Sequence, residues 1–397
     1  MSARCRDRLD PLAHRYTVAM IDDAHLAHGL AGDQLEPDWP PLTVDEVVTV
    51  LARHPSLGTL RSIDWRSPRP LSAAALVTAT EGRAFIKRHH RSVRDERTLA
   101  EEHRFSDTVR ARGVPVPRIL RGADGESVIG TDQWVYEVHE PARGTDVYRD
   151  AYSWSPIGGE RHALEAGAML ARLHDAAIAF DAPQRSTDIL VARAELLSSD
   201  DPIKAIAAQW STRPALAQYL AGRDWRYEIG AAIAPWQARA AQASRAQPPL
   251  WTHGDWHVSN LYWSGDGDGA TITDVLDFGL SARTFALFDL ATAIERNAIA
   301  WLDIDKGHIA RHDLALALIR GYCAIRPLTP SDLVALADVL PLVHLDFALS
   351  EVEYFEGITR RREHADVAYY TFLIGHAGWF GGAEGQGFLK AIRDAGQ

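Results

Sequence analysis

The chain has 397 residues, of which 46% are hydrophobic and 24% charged, and its formal net charge is −11. This length is more than one hydrophobic core generally serves, so two domains or lobes are expected, and the negative charge disfavours nucleic acid as a partner. The sequence has no apolar run of signal-peptide length and no stretch of about 18 uninterrupted apolar residues, so we expect a cytoplasmic protein that does not span a membrane.

Residues 1–55 are predicted to form a polar N-terminal extension that ends in one helix. Pro37, Pro40 and Pro41 cannot continue a helix, and they indicate a loop. Thr43 and Glu46 then have the spacing of a capping box, in which each side chain satisfies a free amide of the other residue. A helix is therefore expected to begin at this point and to end before Pro55.

Residues 56–143 are predicted to form a small mixed lobe. The runs 74–79 and 83–88 are strand-like, and the Thr-Glu-Gly turn between them predicts a hairpin. Residues 94–112 have a helical pattern that Gly113 closes. A further strand is predicted over 133–139.

Residues 144–397 are predicted to form a larger and mainly helical lobe. We expect its helices over the following segments: 161–177, 214–220, 227–243 with an interruption at Pro235, 312–322, 342–355 and 367–380. The exception is a pair of strand-like runs, 261–263 and 271–276, separated by a Gly/Asp-rich turn. The fold class predicted is α+β with two lobes, a small sheet-containing N-lobe and a larger helical C-lobe.

Two short motifs carry the chemistry. Residues 253–260 spell His-Gly-Asp-Trp-His-Val-Ser-Asn, and Asp277-Phe278-Gly279 follows seventeen residues after Asn260. A phosphoryl transfer needs a carboxylate at the attacking hydroxyl and oxygen ligands that hold Mg²⁺ against nucleotide phosphates. We assign the first role to Asp255 and the metal-ligand role to Asn260 and Asp277. The sequence therefore predicts a kinase, although each motif alone also occurs by chance.

These motifs resemble those of the aminoglycoside phosphotransferase and choline kinase superfamily, which shares the protein-kinase-like fold. The resemblance covers roughly residues 60 to 295. The matching segments are His-Gly-Asp-x-His-x-x-Asn at 253–260, Leu-Asp-Phe-Gly at 276–279, Asp-Leu-Ala at 289–291, Gly-x-x-Leu-x-x-Leu-His at 167–174 and Gly-Val-Pro-Val-Pro at 113–117.

The resemblance implies a nucleotide site in the N-lobe for ATP or GTP, which the sequence does not separate. It implies that Lys87 meets the α- and β-phosphates and forms an ion pair with Glu102. It also implies that Ser72 lies in the phosphate loop, where Arg69 is a second candidate. At the hinge, it implies that the Glu140 carbonyl and the Ala142 amide face the base.

Some polar residues near the motifs are expected to be structural. Asp289 is predicted to brace the catalytic loop by accepting hydrogen bonds from backbone amides. His174 is expected to be a satisfied core histidine, and His253 a structural loop histidine.

The acceptor is expected to be a small molecule, because the long activation segment with which protein kinases hold a peptide is absent after Phe278. Asp346, Glu353 and Glu356, together with Ser350, form a polar stripe at helical spacing that is a candidate substrate-binding surface for an amine or a hydroxyl-rich compound. The same stripe is equally well explained as a solvated helix face.

Three functions remain open at this point. An antibiotic-inactivating phosphotransferase is the leading interpretation. A metabolite kinase acting on a sugar, an amino alcohol or a nucleoside is close behind. A nucleotide-binding regulator without catalysis is disfavoured by the presence of Lys87, Glu102, Asp255, Asn260 and Asp277.

Overall fold

The computed structural model describes residues 26–27, 30–31, 37–67, 71–151, 154–267 and 269–396. Most of the predicted N-terminal extension and the phosphate-loop candidate Arg69 lie outside these residues.

The strands in the part of the chain that the structure describes are β1 (Leu26–Ala27), β2 (Leu30–Ala31), β3 (Leu60–Arg66), β4 (Ala73–Ala79), β5 (Gly82–His90), β6 (Ile129–Gly130), β7 (Trp134–His139), β8 (Leu250–Thr252), β9 (Leu261–Trp263), β10 (Ile272–Val275) and β11 (Ala282–Thr284). The N-lobe is built on a five-stranded antiparallel sheet of order β3-β4-β5-β7-β6. The predicted hairpin is confirmed, since Ala79 pairs with Gly82 across its turn. Strand β3 was missed because most of its residues are exposed, which leaves no apolar alternation to detect.

The two faces of this sheet have different chemistry. Ile86 and Val138 point to one face, where they are buried against Val47 and Leu51 of a short helix in an apolar cluster. Side chains alternate along a strand. Lys87 of β5 and Glu137 of β7, which pair across the two strands, therefore point to the opposite face. The capping box predicted at the start of the short helix is confirmed, since Thr43 and Glu46 exchange hydrogen bonds of 2.8–3.2 Å.

The C-lobe is mainly helical, so the predicted two-lobed α+β arrangement is confirmed. The α-helices of the described residues are α1 (Val44–Ala52), α2 (Glu96–Ala111), α3 (Glu160–Ala177), α4 (Pro202–Ala208), α5 (Pro214–Leu220), α6 (Trp225–Ile233), α7 (Gln237–Arg245), α8 (Ala286–Ala298), α9 (His312–Cys323), α10 (Pro330–Val339), α11 (Leu345–Glu353), α12 (Arg362–Asp366), α13 (Ala377–Trp379) and α14 (Ala383–Arg393). Two π-helical segments, Tyr354–Thr359 and Val367–His376, continue α11 and α12. Pro235 lies between α6 and α7, as the sequence predicted.

Close packing of α3 against α9 forms the centre of the C-lobe. A Cβ atom at Gly167 would lie 2.1 Å from the Leu318 carbonyl oxygen, so only glycine allows the two helices to approach this far. The helical run Pro330–Thr359 is long and apolar enough to cross a membrane by length and composition alone. Its most apolar window is 78% buried within the fold, so packing against other helices accounts for its composition.

Candidate active site

The catalytic loop joins β8 to β9 through a tight turn at Gly254. Gly254 has a φ of +78°, and a Cβ there would lie 2.6 Å from the Ala192 Cβ and 2.7 Å from the Leu280 carbonyl oxygen. Asp289 of α8 accepts hydrogen bonds from the amides of His253 and Gly254, each at 2.8 Å. The bracing role predicted for Asp289 is therefore confirmed, and it fixes the direction in which Asp255 leaves the loop.

Buried histidines complete this brace. His174 contacts Asp289 at 3.1 Å through Nε2 and Tyr322 at 2.8 Å through Nδ1, and its side chain is fully buried. The expectation of a satisfied core histidine is confirmed. His253 contacts the Leu276 carbonyl at 2.9 Å, which ties the catalytic loop to the strand end that carries Asp277.

The carboxylate of Asp255 is surrounded by nitrogen atoms. Arg296 of α8 donates to Oδ1 at 2.7 Å, Asn260 donates to Oδ2 at 3.1 Å, and His257 Nε2 lies 3.3 Å from Oδ2. Burial opposes ionisation here, but the charges of Arg296 and His257 outweigh it and lower the pKa of Asp255 well below its usual range. Asp255 is therefore a fixed anion with 14% of its side chain exposed.

The three residues assigned to base and metal lie next to one another. The side-chain nitrogen of Asn260 donates to the backbone carbonyl and to the carboxylate of Asp255, so the side-chain oxygen is left for a metal. The Leu276 amide donates to the Asn260 carbonyl at 2.8 Å, so Asp277 follows directly after the contact. An amide oxygen and a carboxylate are hard oxygen ligands that suit Mg²⁺.

Asp277 is held in an unusual backbone conformation that sets it against the N-lobe. Its φ of +56° is in the left-handed region, which non-glycine residues rarely adopt outside functional sites. Its Oδ1 lies 2.9 Å from Lys87 Nζ, and 40% of its side chain is exposed in the cleft. Burial opposes the charge on Asp277, but Lys87 outweighs it and lowers the pKa of Asp277.

Glu102 does not form the predicted ion pair with Lys87. Its carboxylate lies instead 3.2 Å from Arg185 Nη2 and 3.6 Å from Arg94 Nε, and all three side chains are buried. The physical reason is that a guanidinium can bond a carboxylate and a carbonyl at once, and both arginines also donate to the carbonyl oxygen of Gly279. Sequence reasoning missed these two arginines, and the separation of Arg185 from the motifs gave no signal for it.

The hinge residues Glu140 and Ala142 are predicted to face the base. Within the described residues, no backbone hydrogen bond uses the Glu140 carbonyl or the Ala142 amide, which is compatible with that prediction. The amide of Arg143 donates to Asp274 of β10 at 2.8 Å, which fixes the hinge to the C-lobe. Ser72 lies in the bend just before β4, at the edge of the undescribed residues 68–70.

The stripe predicted to bind the acceptor is engaged elsewhere. Asp346 accepts from the Leu196 amide at 3.1 Å, Glu353 pairs with Arg213 at 2.5 Å, and Glu356 pairs with Arg362 at 2.7 Å. The helix predicted over 342–355 exists as α11 and its flanking turns, but the predicted stripe faces neighbouring loops and helices. These contacts do not support the substrate-binding assignment of the three carboxylates.

A different face of the same region lines a cavity beside the catalytic loop. The cavity has a volume of about 20 Å³, and it is lined by Trp154, Ala192, Gly254, Phe288, Thr292, Glu295, Arg296, Val343, His344, Phe347 and Phe372. Burial raises the pKa of Glu351 to about 8. The charges of Arg296 and Asp255 also act on this carboxyl group. Sequence reasoning missed Glu295 because it predicted no helix over Ala286–Ala298, and it missed Glu351 because the phase of a helix around its own axis cannot be fixed without its neighbours.

Comparison with known proteins identifies the family. The sequence profile of the phosphotransferase enzyme family matches residues 71–329, which is more than half of the chain. No curated protein sequence matches the chain.

Solved structures share the fold at low sequence identity. An aminoglycoside phosphotransferase from Alicyclobacillus acidocaldarius is 15% identical, with 91% of this chain and 98% of that chain covered at a TM-score of 0.50. A microcompartment-associated aminopropanol kinase is 16% identical, with 85% and 98% covered at a TM-score of 0.53. A spectinomycin phosphotransferase in complex with ADP and spectinomycin is 12% identical, with 87% and 100% covered at a TM-score of 0.50.

These findings confirm the resemblance and the protein-kinase-like fold inferred from the motifs. The chain belongs to the phosphotransferase enzyme family and is a small-molecule kinase whose acceptor is an alcohol group.

Proposed function

We propose that this enzyme transfers the γ-phosphate of ATP or GTP to a hydroxyl group of a small amine-bearing molecule, with Mg²⁺ as the required metal. The observation that carries the proposal is the convergence of Lys87, Asp255, Asn260 and Asp277 at the cleft between the lobes, with contacts of 2.9–3.1 Å linking Lys87 to Asp277 and Asn260 to Asp255. We also propose a cytoplasmic location, with which the acidic balance of the chain is compatible.

Asp255 acts mainly by orienting the acceptor in this proposal. A carboxylate whose pKa is held far below neutrality is a weak base, so it removes a proton poorly in the ground state. Phosphoryl transfer passes through a loose transition state in which the attacking hydroxyl needs alignment more than early deprotonation. Asp255 therefore accepts a hydrogen bond from the hydroxyl, aligns it, and takes up its proton late in the transfer.

Asn260 and Asp277 supply the metal ligands. Mg²⁺ held there would neutralise the phosphate charge that develops during transfer. Lys87 would exchange its contact with Asp277 for contacts with phosphate oxygens, since an ammonium group binds phosphate well as a point charge. The Glu140 carbonyl and the Ala142 amide would pair with the base.

The chemistry of the acceptor cavity favours a cation with an apolar body. Glu295 is a buried carboxylate that lines it, and Trp154, Phe347 and Phe372 surround it with aromatic rings. Aromatic faces and carboxylates together bind ammonium groups. An amine next to the reacting hydroxyl would meet both.

An antibiotic is the first candidate acceptor, because two of the structures that share the fold are antibiotic phosphotransferases by name. A small amino alcohol is the second, because another structure that shares the fold is an aminopropanol kinase by name.

An acceptor panel tests the proposal. Release of nucleoside diphosphate is measured with ATP and with GTP in the presence of aminoglycosides, spectinomycin, short amino alcohols, sugars and nucleosides, with Asp255→Ala as the inactive control. The proposal expects turnover with an amine-bearing alcohol and none with neutral sugars. Turnover restricted to neutral acceptors would contradict the amine assignment, and tight nucleotide binding without turnover on any acceptor would favour a regulator.

A further inference from the structure

The N-lobe contains a group of histidines around one carboxylate, separate from the catalytic residues. Glu137 of β7 lies 2.8 Å from His103 Nε2 and 2.7 Å from His139 Nε2 through Oε2, and 3.0 Å from His89 Nε2 through Oε1. These four residues come from β5, α2 and β7. They lie on the face of the sheet that α2 covers, where a lobe of this size would ordinarily have apolar packing.

Three of these residues already have the spacing of a metal-binding set. The ligand atoms of His103, Glu137 and His139 all lie within 4.8 Å of one another. In a tetrahedral zinc site the ligand atoms are roughly 3.4 Å apart, because each is about 2.0–2.1 Å from the ion. The distances from Glu137 Oε2 to the two Nε2 atoms, 2.8 and 2.7 Å, are shorter than this, so the side chains would move slightly apart to admit the ion.

An outer shell that would orient the ligands is also present. His103 Nδ1 lies 2.9 Å from the Ser127 hydroxyl, and His89 holds the second oxygen of Glu137. A serine hydroxyl both donates and accepts, so His103 can carry its proton on either nitrogen. With the proton on Nδ1, its Nε2 lone pair is available to a metal, and this second-shell arrangement is common at zinc sites.

We propose that His103, His139 and Glu137 form a binding site for a transition-metal dication of the zinc class, with His89 and Ser127 as its outer partners. Imidazole nitrogen favours Zn²⁺ over Mg²⁺, which prefers oxygen ligands, so the site and the proposed Mg²⁺ site at Asn260 and Asp277 select different metals. The site would fasten α2 to the sheet directly behind Lys87, which pairs with Glu137 across β5 and β7. The ammonium of Lys87 does not exclude a dication, because Asp277 neutralises it at 2.9 Å.

The test uses the full chain, stripped with a chelator and then titrated with Co²⁺ in excess Mg²⁺. We expect one equivalent of Co²⁺ to give the strong visible absorption of a four-coordinate ion, and we expect Zn²⁺ to abolish this absorption. His103→Gln and His139→Gln should each weaken binding at least tenfold, because glutamine keeps a hydrogen bond to Glu137 but is a poor ligand. Ser127→Ala should weaken binding by about 10- to 100-fold while leaving the three ligands in place.

Two control variants distinguish this site from other histidines. His376 belongs to a second group in the described residues, with Glu295 and His344, and His376→Gln should leave the absorption unchanged. His308 is exposed with a φ of +58°, a conformation that asparagine tolerates, so His308→Asn controls for surface binding. Circular dichroism checks folding, and His139→Gln decides if the buried His103 variant fails to fold, since 23% of the His139 side chain is exposed.

Absence of Co²⁺ absorption in the wild-type chain would overturn the inference. Full binding in His139→Gln, or loss of binding in His376→Gln, would also overturn it. Because metal binding is measured without an acceptor or a nucleotide, its failure would leave the proposed kinase function standing.

Discussion

At the scale of single residues, the partner of Asp255 is the most consequential contact in the cleft. Arg296 donates to Asp255 at 2.7 Å and stacks its guanidinium 4.0 Å from the centre of the Trp154 ring. The arginine is therefore held on two sides, and its charge keeps Asp255 ionised despite burial. Because its pKa is low, Asp255 is a weak base, which suits a reaction governed by alignment of the hydroxyl.

Replacing Arg296 should change the pH dependence of turnover. Arg296→Gln removes the positive charge that lowers the pKa of Asp255, so the acid limb of the kcat/KM profile should move to higher pH. Loss of the buried partner should also cost about 3–5 kcal/mol of stability. The profile is measured with the acceptor found in the panel, and Arg320→Gln, which breaks an exposed pair with Glu160, is the control. An unshifted acid limb would show that Arg296 does not set the charge of Asp255.

Glu351 should make the stability of the protein fall as pH rises. Burial raises its pKa from about 4.5 to about 8, so between these values the folded state keeps a proton that the unfolded state releases. The free energy of unfolding should therefore decrease across this window by at most about 1.4 kcal/mol per pH unit, and stay level above pH 8 as far as this group is concerned.

Urea unfolding of the wild type and Glu351→Gln at pH 5, 6.5, 8 and 9 measures this effect. The stability of the glutamine variant relative to the wild type should increase up to pH 8 and then stay constant. Asp346, whose pKa burial raises to about 7, is present in both proteins and cancels in the difference. Parallel curves for the two proteins would rule out the titration, and exposed Glu363→Gln is the matched control.

At the scale of elements, α2 is fastened to the Asp277 loop by arginines rather than to Lys87 by Glu102. Arg94 and Arg185 each contact both Glu102 and the Gly279 carbonyl, so they join α2 to the loop after Asp277. Kinase regulation often works through this helix. Here the structure ties the helix to the C-lobe through buried guanidinium groups.

Glu102→Gln separates a structural role from a nucleotide-binding role. If Glu102 serves the arginine network, the variant should lose about 3–5 kcal/mol of stability through two unpaired buried charges, with the KM for nucleotide changed less than threefold. Thermal unfolding and nucleotide titration measure both quantities, and Glu96→Gln, on the same helix in an exposed pair with Arg91, is the control. A KM raised tenfold or more at unchanged stability would show that Lys87 and Glu102 pair during turnover.

An element could be predicted from the sequence when the residues that determine it lie close together in the chain. The hairpin at Gly82, the capping box at Thr43 and the loop at 253–260 carry their determinants within a few residues, and the sequence predicted them. Helix α8 was missed because all of its residues from Leu287 to Ala298 are buried, so its charged residues do not mark a solvent-exposed face as they do on a surface helix. The acceptor face of α11 was misassigned because tertiary packing selects which of its polar stripes meets the cleft.

At the scale of the whole molecule, the site exists only where the two lobes meet. Lys87 comes from the sheet of the N-lobe, whereas Asp255, Asn260 and Asp277 come from loops of the C-lobe. The salt bridge between Lys87 and Asp277 joins the two parts at the point assigned to the phosphates. Sequence motifs supplied the identities of these residues, but only the fold shows that they converge.

Asp255 and Asp277 have separate tasks in the proposed reaction, and calorimetric titration of ATP in excess Mg²⁺ into the wild type, Asp255→Ala and Asp277→Ala distinguishes these tasks. The titration needs no acceptor, and kcat is measured with the acceptor found in the panel. The account predicts that Asp277→Ala weakens the binding of the metal–nucleotide complex at least about tenfold, whereas Asp255→Ala leaves it within a factor of about three while lowering kcat by about 10²–10⁴-fold. Equal affinities for all three proteins would contradict the metal site at Asn260 and Asp277.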